Sequence, residues 1–213
     1  MKPIITALLV DDHALLRAGM RVLLSTTEHI QLVGETSKGE HAIQLYQQLR
    51  PEIVIMDLSM PGIGGLEAIR RILAHDHQAR ILVFSVHHEQ VFVSRALQAG
   101  AKGYITKNSA PRLLLEAIEA IFNGGVYIEA GLCNQTDTQE LNDCEAIINA
   151  FSPREFDIYR LLAEGLTVNS IAEHLCLQQK TVSNYATQIK KKLGANTFTE
   201  LAHIASNLGL LKR

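Results

Sequence analysis

The N-terminal part of the chain alternates between two hydrophobic rhythms. Short unbroken apolar runs sit in "IITALLV", "IQLVGETS", "EIVIMD", "RILVFSV" and "AKGYITK", and such runs read as strands buried on both faces. Between them, apolar residues recur at helical spacing. In "HALLRAGMRVLLST" they are Leu15, Leu16, Met20, Leu23 and Leu24. "GEHAIQLYQQLR" is a second helix, ended by Pro51 because the residue before a proline avoids the helical region. "GLEAIRRILAH" is a third, and "QVFVSRALQAG" a fourth, closed by Gly100. "SAPRLLLEAIEAIFNGG" ends the series, with Ser109 as the expected N-cap, Pro111 in the first turn and glycines past the end. Strands each followed by a helix predict an α/β, doubly wound, five-stranded parallel sheet over residues 1–129.

The rhythm then weakens. Residues 130–149 read as a linker, part of it helical over "CEAIINA". From 150 to 213 the pattern is all helical and predicts an all-α, four-helix domain. Ser152 and Glu155 form a capping box with Pro153 at the first helical position. Phe156, Ile158, Tyr159 and Leu162 make the inner face of that helix. Thr167 caps the next, with Ile171, Ala172 and Leu175 inward. Gln178 or Gln179 opens a third, with Val182, Ile189 and Leu193 inward and Gly194 as its stop. Thr197 opens the last, whose apolar residues are Leu201, Ile204, Ala205 and Leu208.

Composition sets limits on this picture. Hydrophobic residues make up 47% and charged residues 20%, as in a globular protein that folds around its own core. No apolar run approaches the ~20 residues of a membrane span, and the N-terminus lacks a small-residue cleavage site. Cys133, Cys144 and Cys176 are widely spaced and contain no CxxC pair. They predict free thiols and a cytoplasmic protein rather than a disulfide framework or zinc site. The net charge of −2 is unevenly spread. Residues 150–213 hold 8 Lys+Arg against 5 Asp+Glu, and the remainder holds 12 against 17. An acidic front and a basic back suggest two modules with different partners.

The chemistry gathers at strand ends. Asp57 ends the third strand, and Asp11 and Asp12 follow the first. In doubly wound sheets functional residues collect at the carboxyl ends of the strands. Three carboxylates in one crevice repel one another and call for a hard divalent cation such as Mg²⁺. Strand four ends near Ser85 and strand five near Lys107, adding a hydroxyl and an ammonium. That set suits a phosphoryl group, with Asp57 as its nucleophilic acceptor. In the second module, the third helix carries Ser183, Asn184, Thr187 and Gln188 on its outward face. Such side chains read base edges, while Lys180, Tyr185, Lys190, Lys191 and Lys192 are candidates for phosphate contacts. Two short helices joined by a tight turn, the second polar and basic outside, match a helix-turn-helix.

"LLVDDH", "IVIMDLSMPG", "VFSVH" and "GYITK" together resemble the receiver domain of two-component response regulators, which has a flavodoxin-like fold. "SPRE", "AEGLTVNSIAEHL" and "KTVSNYATQIKKKLGA" resemble the LuxR-type DNA-binding domain. Joined, they resemble the NarL/FixJ family, and "NYATQI" with "DLSMPGIGG" points to its GacA/UvrY branch. The resemblance implies phosphoryl transfer from a histidine kinase to Asp57. It implies Asp12 and Asp57 as Mg²⁺ ligands, Asp11 acting through water, and the Ser59 carbonyl as a further ligand. Ser85 and Tyr104 take switch positions, in which the hydroxyl moves toward the phosphoryl group and the ring rotates inward; Lys107 pairs with the phosphate. His87 sits where side chains influence dephosphorylation, and Asn108 stands where many receivers have proline. In the second domain the resemblance turns Ser183, Asn184 and Thr187 toward the bases, and Lys180 and Lys191 toward phosphates. Many members have lysine at the Ser183 and Thr187 positions, so this chain should show a shallower salt dependence.

The expectation is a transcription regulator in which Asp57 phosphorylation drives a homodimer onto promoter DNA. The pairing surface is either the face from the fourth to the fifth receiver helix or the first and fifth helices, with the last helix of the chain adding a contact. No turnover is expected beyond loss of its own phosphoryl group. Two rivals remain open. An aspartyl-phosphate hydrolase of the haloacid-dehalogenase kind wants a second acid two residues after Asp57, where this chain has Ser59. A phosphorylation-independent regulator usually lacks a pocket acid, and here all three are present.

Overall fold

The structure, a computed structural model, describes residues 3–132 and 141–211. Cys133 and residues 134–140 of the expected linker lie outside that range. The chain divides into two compact units, Met1–Cys133 and Asn134–Arg213.

In the first unit the order is β1 (Ile5–Val10), α1 (Ala14–Ser25), β2 (Ile30–Thr36), α2 (Gly39–Leu49), β3 (Ile53–Met56) and α3 (Gly64–His75). There follow β4 (Ile81–Ser85), α4 (Gln90–Gln98), β5 (Gly103–Thr106), α5 (Pro111–Phe122) and β6 (Tyr127–Ile128). The strands form one parallel sheet in the order β2-β1-β3-β4-β5-β6. β3 and β4 are buried along their whole length, as their unbroken apolar runs require of strands covered on both faces. Leu24, Leu114, Ile118 and Ile121 from α1 and α5 pack on one face with Ile5, Leu9, Ile53 and Ile55. The direction of winding reverses between β1 and β3, and a crevice opens at such a switch point.

Two details depart from expectation. The sheet has six strands, not five: Tyr127 and Ile128 pair with Gly103 and Tyr104 along the outer edge of β5. A two-residue strand has no period to read, so only the pairing reveals it. Ser109 does not cap α5; the N-cap is Ala110, with Pro111 at the first turn and no side-chain cap bond. The peptide bond between Lys107 and Asn108 is trans.

The second unit holds α6 (Leu141–Asn149), α7 (Pro153–Ala163), α8 (Val168–His174), α9 (Gln179–Leu193) and α10 (Phe198–Asn207). α6 covers the segment expected to be partly helical and starts earlier than "CEAIINA"; its Ile148 is buried. The capping box of α7 is present, with the Ser152 hydroxyl accepting from Glu155 N and the Glu155 carboxylate accepting from Ser152 N. Thr167 and Thr197 cap α8 and α10 through their side chains. Gly194 ends α9 at φ +67°, in the left-handed region that glycine occupies without strain. Ala186 joins Val182, Ile189 and Leu193 on the buried face of α9. Cys144 and Cys176 are free thiols. Among the described residues no helix is long and apolar enough to cross a membrane.

Candidate functional site

The first site forms where the carboxyl ends of β1, β3, β4 and β5 meet. Ladder bonds fix the depth of each contributor. Asp57 N donates to Val10 O at 2.8 Å, Asp11 N to Thr36 O at 3.0 Å, and Lys107 N to Ser85 O at 2.7 Å. Asp11 and Asp57 are each 1% exposed. The Lys107 ammonium bridges them, 2.7 Å from Asp11 Oδ2 and 2.8 Å from Asp57 Oδ2. Burial pushes the Asp57 carboxyl above its usual range; Lys107 pulls it down without cancelling that, and Asp11 adds to the rise.

Close packing holds the Asp57 loop. Gly65 N donates to Leu58 O at 3.0 Å, and a Cβ on Gly65 would stand 2.0 Å from the Asp57 carbonyl oxygen. The glycine pair in "GIGG" therefore lets the start of α3 approach the loop that carries the acid.

The remaining candidates of the first unit lie around this core. Ser59 N donates to Asp57 Oδ1 at 3.3 Å. Ser85 is fully buried; its hydroxyl oxygen accepts from His87 N at 3.3 Å, and its side chain is also hydrogen-bonded to that of Tyr104. Tyr104 is already inward and fully buried, its hydroxyl donating to His87 O at 2.9 Å. Burial raises the Tyr104 pKa, so the phenol stays neutral and keeps that bond. His87 stacks on Phe92, with centroids 3.9 Å apart and planes 5° from parallel, and its Nε2 is 2.7 Å from Ser59 Oγ.

His13 also belongs to the site, though no apolar run or helical spacing marks it. Its N–H donates to Asp11 Oδ1 at 2.8 Å, and its Nδ1 stands 3.1 Å from Asp12 Oδ1. Its place directly after Asp12 in "VDDH" was the available signal. Asp11, Asp12, His13 and Asp57 each offer a ligand atom, all within 4.8 Å of one another. Asp12 Oδ1 is buried and accepts no hydrogen bond in the structure. Three carboxylates that converge on one point, one of them with a raised pKa, are a donor set that suits a hard cation.

The second site is the outer face of α9. α8 and α9 meet through a turn that reverses at Cys176, φ +54°. Ser183, Asn184, Thr187 and Gln188 are all exposed, as their spacing predicts. The Thr187 hydroxyl donates to Ser183 O at 3.0 Å, one turn back on its own helix. Two of the phosphate candidates are engaged inside the unit. Lys192 Nζ lies 2.5 Å from Glu155 Oε1 and over the Phe151 ring. Lys190 Nζ reaches Asn196 O at 3.4 Å and lies over Phe198. Lys180 and Lys191 are exposed and in no ion pair among the described residues; Tyr185 is half-buried.

Comparison with known proteins bears on both units. Residues 7–119 match the response regulator receiver domain, and residues 149–205 match the bacterial regulatory proteins of the luxR family. The chain is 40% identical to the transcriptional activator protein ExaE of Pseudomonas putida, over 96% of this chain and 97% of that one. It is 38% identical to the response regulator UvrY of Escherichia coli (strain K12), over 97% and 95%. Among solved structures it is similar to RcsB from Salmonella enterica serovar Typhimurium, bound to promoter P1flhDC in the presence of the phosphomimetic BeF3⁻. The TM-score is 0.66 at 26% identity, covering 95% of this chain and 98% of that one. A parallel sheet with an acid crevice, followed by a helix-turn-helix and supported by these matches, places the chain in the NarL/FixJ family of response regulators, a receiver domain joined to a LuxR-type DNA-binding domain.

Proposed function

We propose that Asp57 accepts a phosphoryl group from the phosphohistidine of a partner histidine kinase, and that this controls promoter binding through α9. The observation that carries the reading is Lys107 held between Asp11 and Asp57 by two short ion pairs. An Asp57 oxygen forms the new bond to phosphorus while the P–N bond to the kinase imidazole breaks and its electron pair stays on that nitrogen. Lys107 exchanges a carboxylate for a phosphoryl oxygen, and the Ser85 hydroxyl turns to donate to another. Asp11, Asp12, Asp57 and the Ser59 carbonyl would hold Mg²⁺. The bound ion supplies the positive charge that lets a dianionic group enter an acidic crevice.

Once phosphorylated, the chain pairs as a homodimer on two half-sites of double-stranded promoter DNA, since one unit with so few free basic residues binds weakly by itself. The promoter-bound structure of RcsB supports this reading. The protein acts in the cytoplasm and turns over no substrate beyond losing its own phosphoryl group.

The test is intact-mass measurement of the full chain after incubation with acetyl phosphate and Mg²⁺. A gain of one phosphoryl group that maps to Asp57, and disappears in Asp57→Ala, is the expected result. Uptake that survives Asp57→Ala would place the acceptor elsewhere.

A further inference from the structure

The turn that carries Lys107 is closed from outside by one carboxylate that neither site uses. Glu129 follows directly on β6. Its N–H donates to Tyr104 O at 3.0 Å, tying it to the inward tyrosine of β5. Its Oε2 accepts from Thr106 N at 2.7 Å, and its Oε1 accepts from the Ser109 hydroxyl at 2.6 Å. The Thr106 and Ser109 hydroxyl oxygens are 2.9 Å apart, and Ser109 N donates to Thr106 O at 3.1 Å. One side chain therefore grips both ends of the turn 106–109 with short, charge-assisted bonds. Lys107 lies inside that turn. On the other side of Glu129 the chain runs directly on: Leu132 N donates to Glu129 O at 3.3 Å, and the second unit begins at Asn134.

We propose that Glu129 is a positioning residue for Lys107 and the link by which a phosphoryl group in the pocket moves the chain that leads to the DNA-binding unit. The proposal rests on the reading of Asp57 as phosphoacceptor. When Lys107 exchanges a carboxylate partner for a phosphoryl oxygen, the 106–109 turn shifts with it. Glu129 is bonded to that turn at both ends and to β5 through its backbone, so β6 and residues 130–132 follow. A contiguous bonded path of this kind is a physical route for coupling. Ser109 serves this link, which is why it is not spent on capping α5.

The test is hydrogen exchange of the full chain, with and without Mg²⁺ and beryllium fluoride, in wild type, Glu129→Ala and Glu129→Gln. Phosphoryl uptake from acetyl phosphate is followed in parallel. In the wild type, beryllium fluoride should slow exchange in peptides 103–110 and 126–132 together. In Glu129→Ala the first response should remain and the second vanish, with uptake about tenfold slower because Lys107 is less well placed. Glu129→Gln, whose amide can meet both partners, should restore the second response. Retention of the 126–132 response in Glu129→Ala, or its absence in a wild type that still responds at 103–110, overturns the proposal alone. Loss of both responses in Glu129→Ala, with glutamine restoring neither, marks a purely structural role and also overturns it. A wild type with no response and no uptake defeats the reading of the pocket, and this proposal with it.

Discussion

Lys107 holds two buried carboxylates that would otherwise face each other unneutralised, so its removal should be felt first as instability. Taking one partner from a buried ionic cluster leaves uncompensated charge and costs about 3 kcal/mol. Lys107→Ala should lower the denaturant midpoint of the first unit accordingly, and adding Asp57→Asn should return most of the loss, because the pair is coupled. A double variant as unstable as the single one would show that the lysine's aliphatic packing matters more than its charge. On the DNA side the three lysines of "KKK" divide by partner: Lys192 is tied to Glu155 and Lys190 to Asn196 O, while Lys191 remains outward. Lys191→Ala should reduce the salt slope of binding to random-sequence duplex by about 1. Lys192→Ala should change the slope less and destabilise the second unit instead.

At the level of elements, α9 is fastened to the start of α7 through the same carboxylate that closes the capping box. Burial works to raise the Glu155 pKa, but hydrogen bonds from Lys192 and Ser152 outweigh it, and the group sits below its usual range. A carboxylate depressed in the folded state contributes stability above its unfolded pKa and loses it as pH falls through the folded value. The acid limb of the second unit's unfolding curve should therefore flatten in Glu155→Gln. That variant should also lose about 1 kcal/mol near neutrality, a modest figure because Lys192 is half exposed. At the other element junction, Gly65→Ala forces a methyl against the Asp57 carbonyl. It should cost about 3 kcal/mol and slow phosphoryl uptake, since the loop must move to admit it. The sequence patterns were informative where one element supplies its own signal. β3 and β4 are covered on both faces and so read as apolar runs; Thr167, Thr197 and Ser152 cap helices that begin right after them. They failed where the partner is distant in the chain. Ser109 looks like a cap but bonds to Glu129, twenty positions on, and β6 is too short to carry a period. The acids and Lys107 were legible as a set because each ends a strand, whereas the contacts of His13 and Glu129 emerge only from the folded geometry.

Across the whole molecule, basic residues outnumber acidic ones only over residues 150–213, by 8 to 5, so a single copy has little electrostatic hold on DNA. Binding to a duplex with two half-sites should rise more steeply than the first power of protein concentration once Asp57 is phosphorylated, and approach the first power in Asp57→Ala. Equal steepness in both would separate pairing from phosphorylation. The short β6 has a further, practical consequence. It occupies hydrogen-bonding groups along the flank of β5 that would otherwise invite strands from neighbouring copies. A receiver fragment trimmed at the end of α5 would bare that flank, and should become sticky in solution. One extended past Glu129 should stay dispersed.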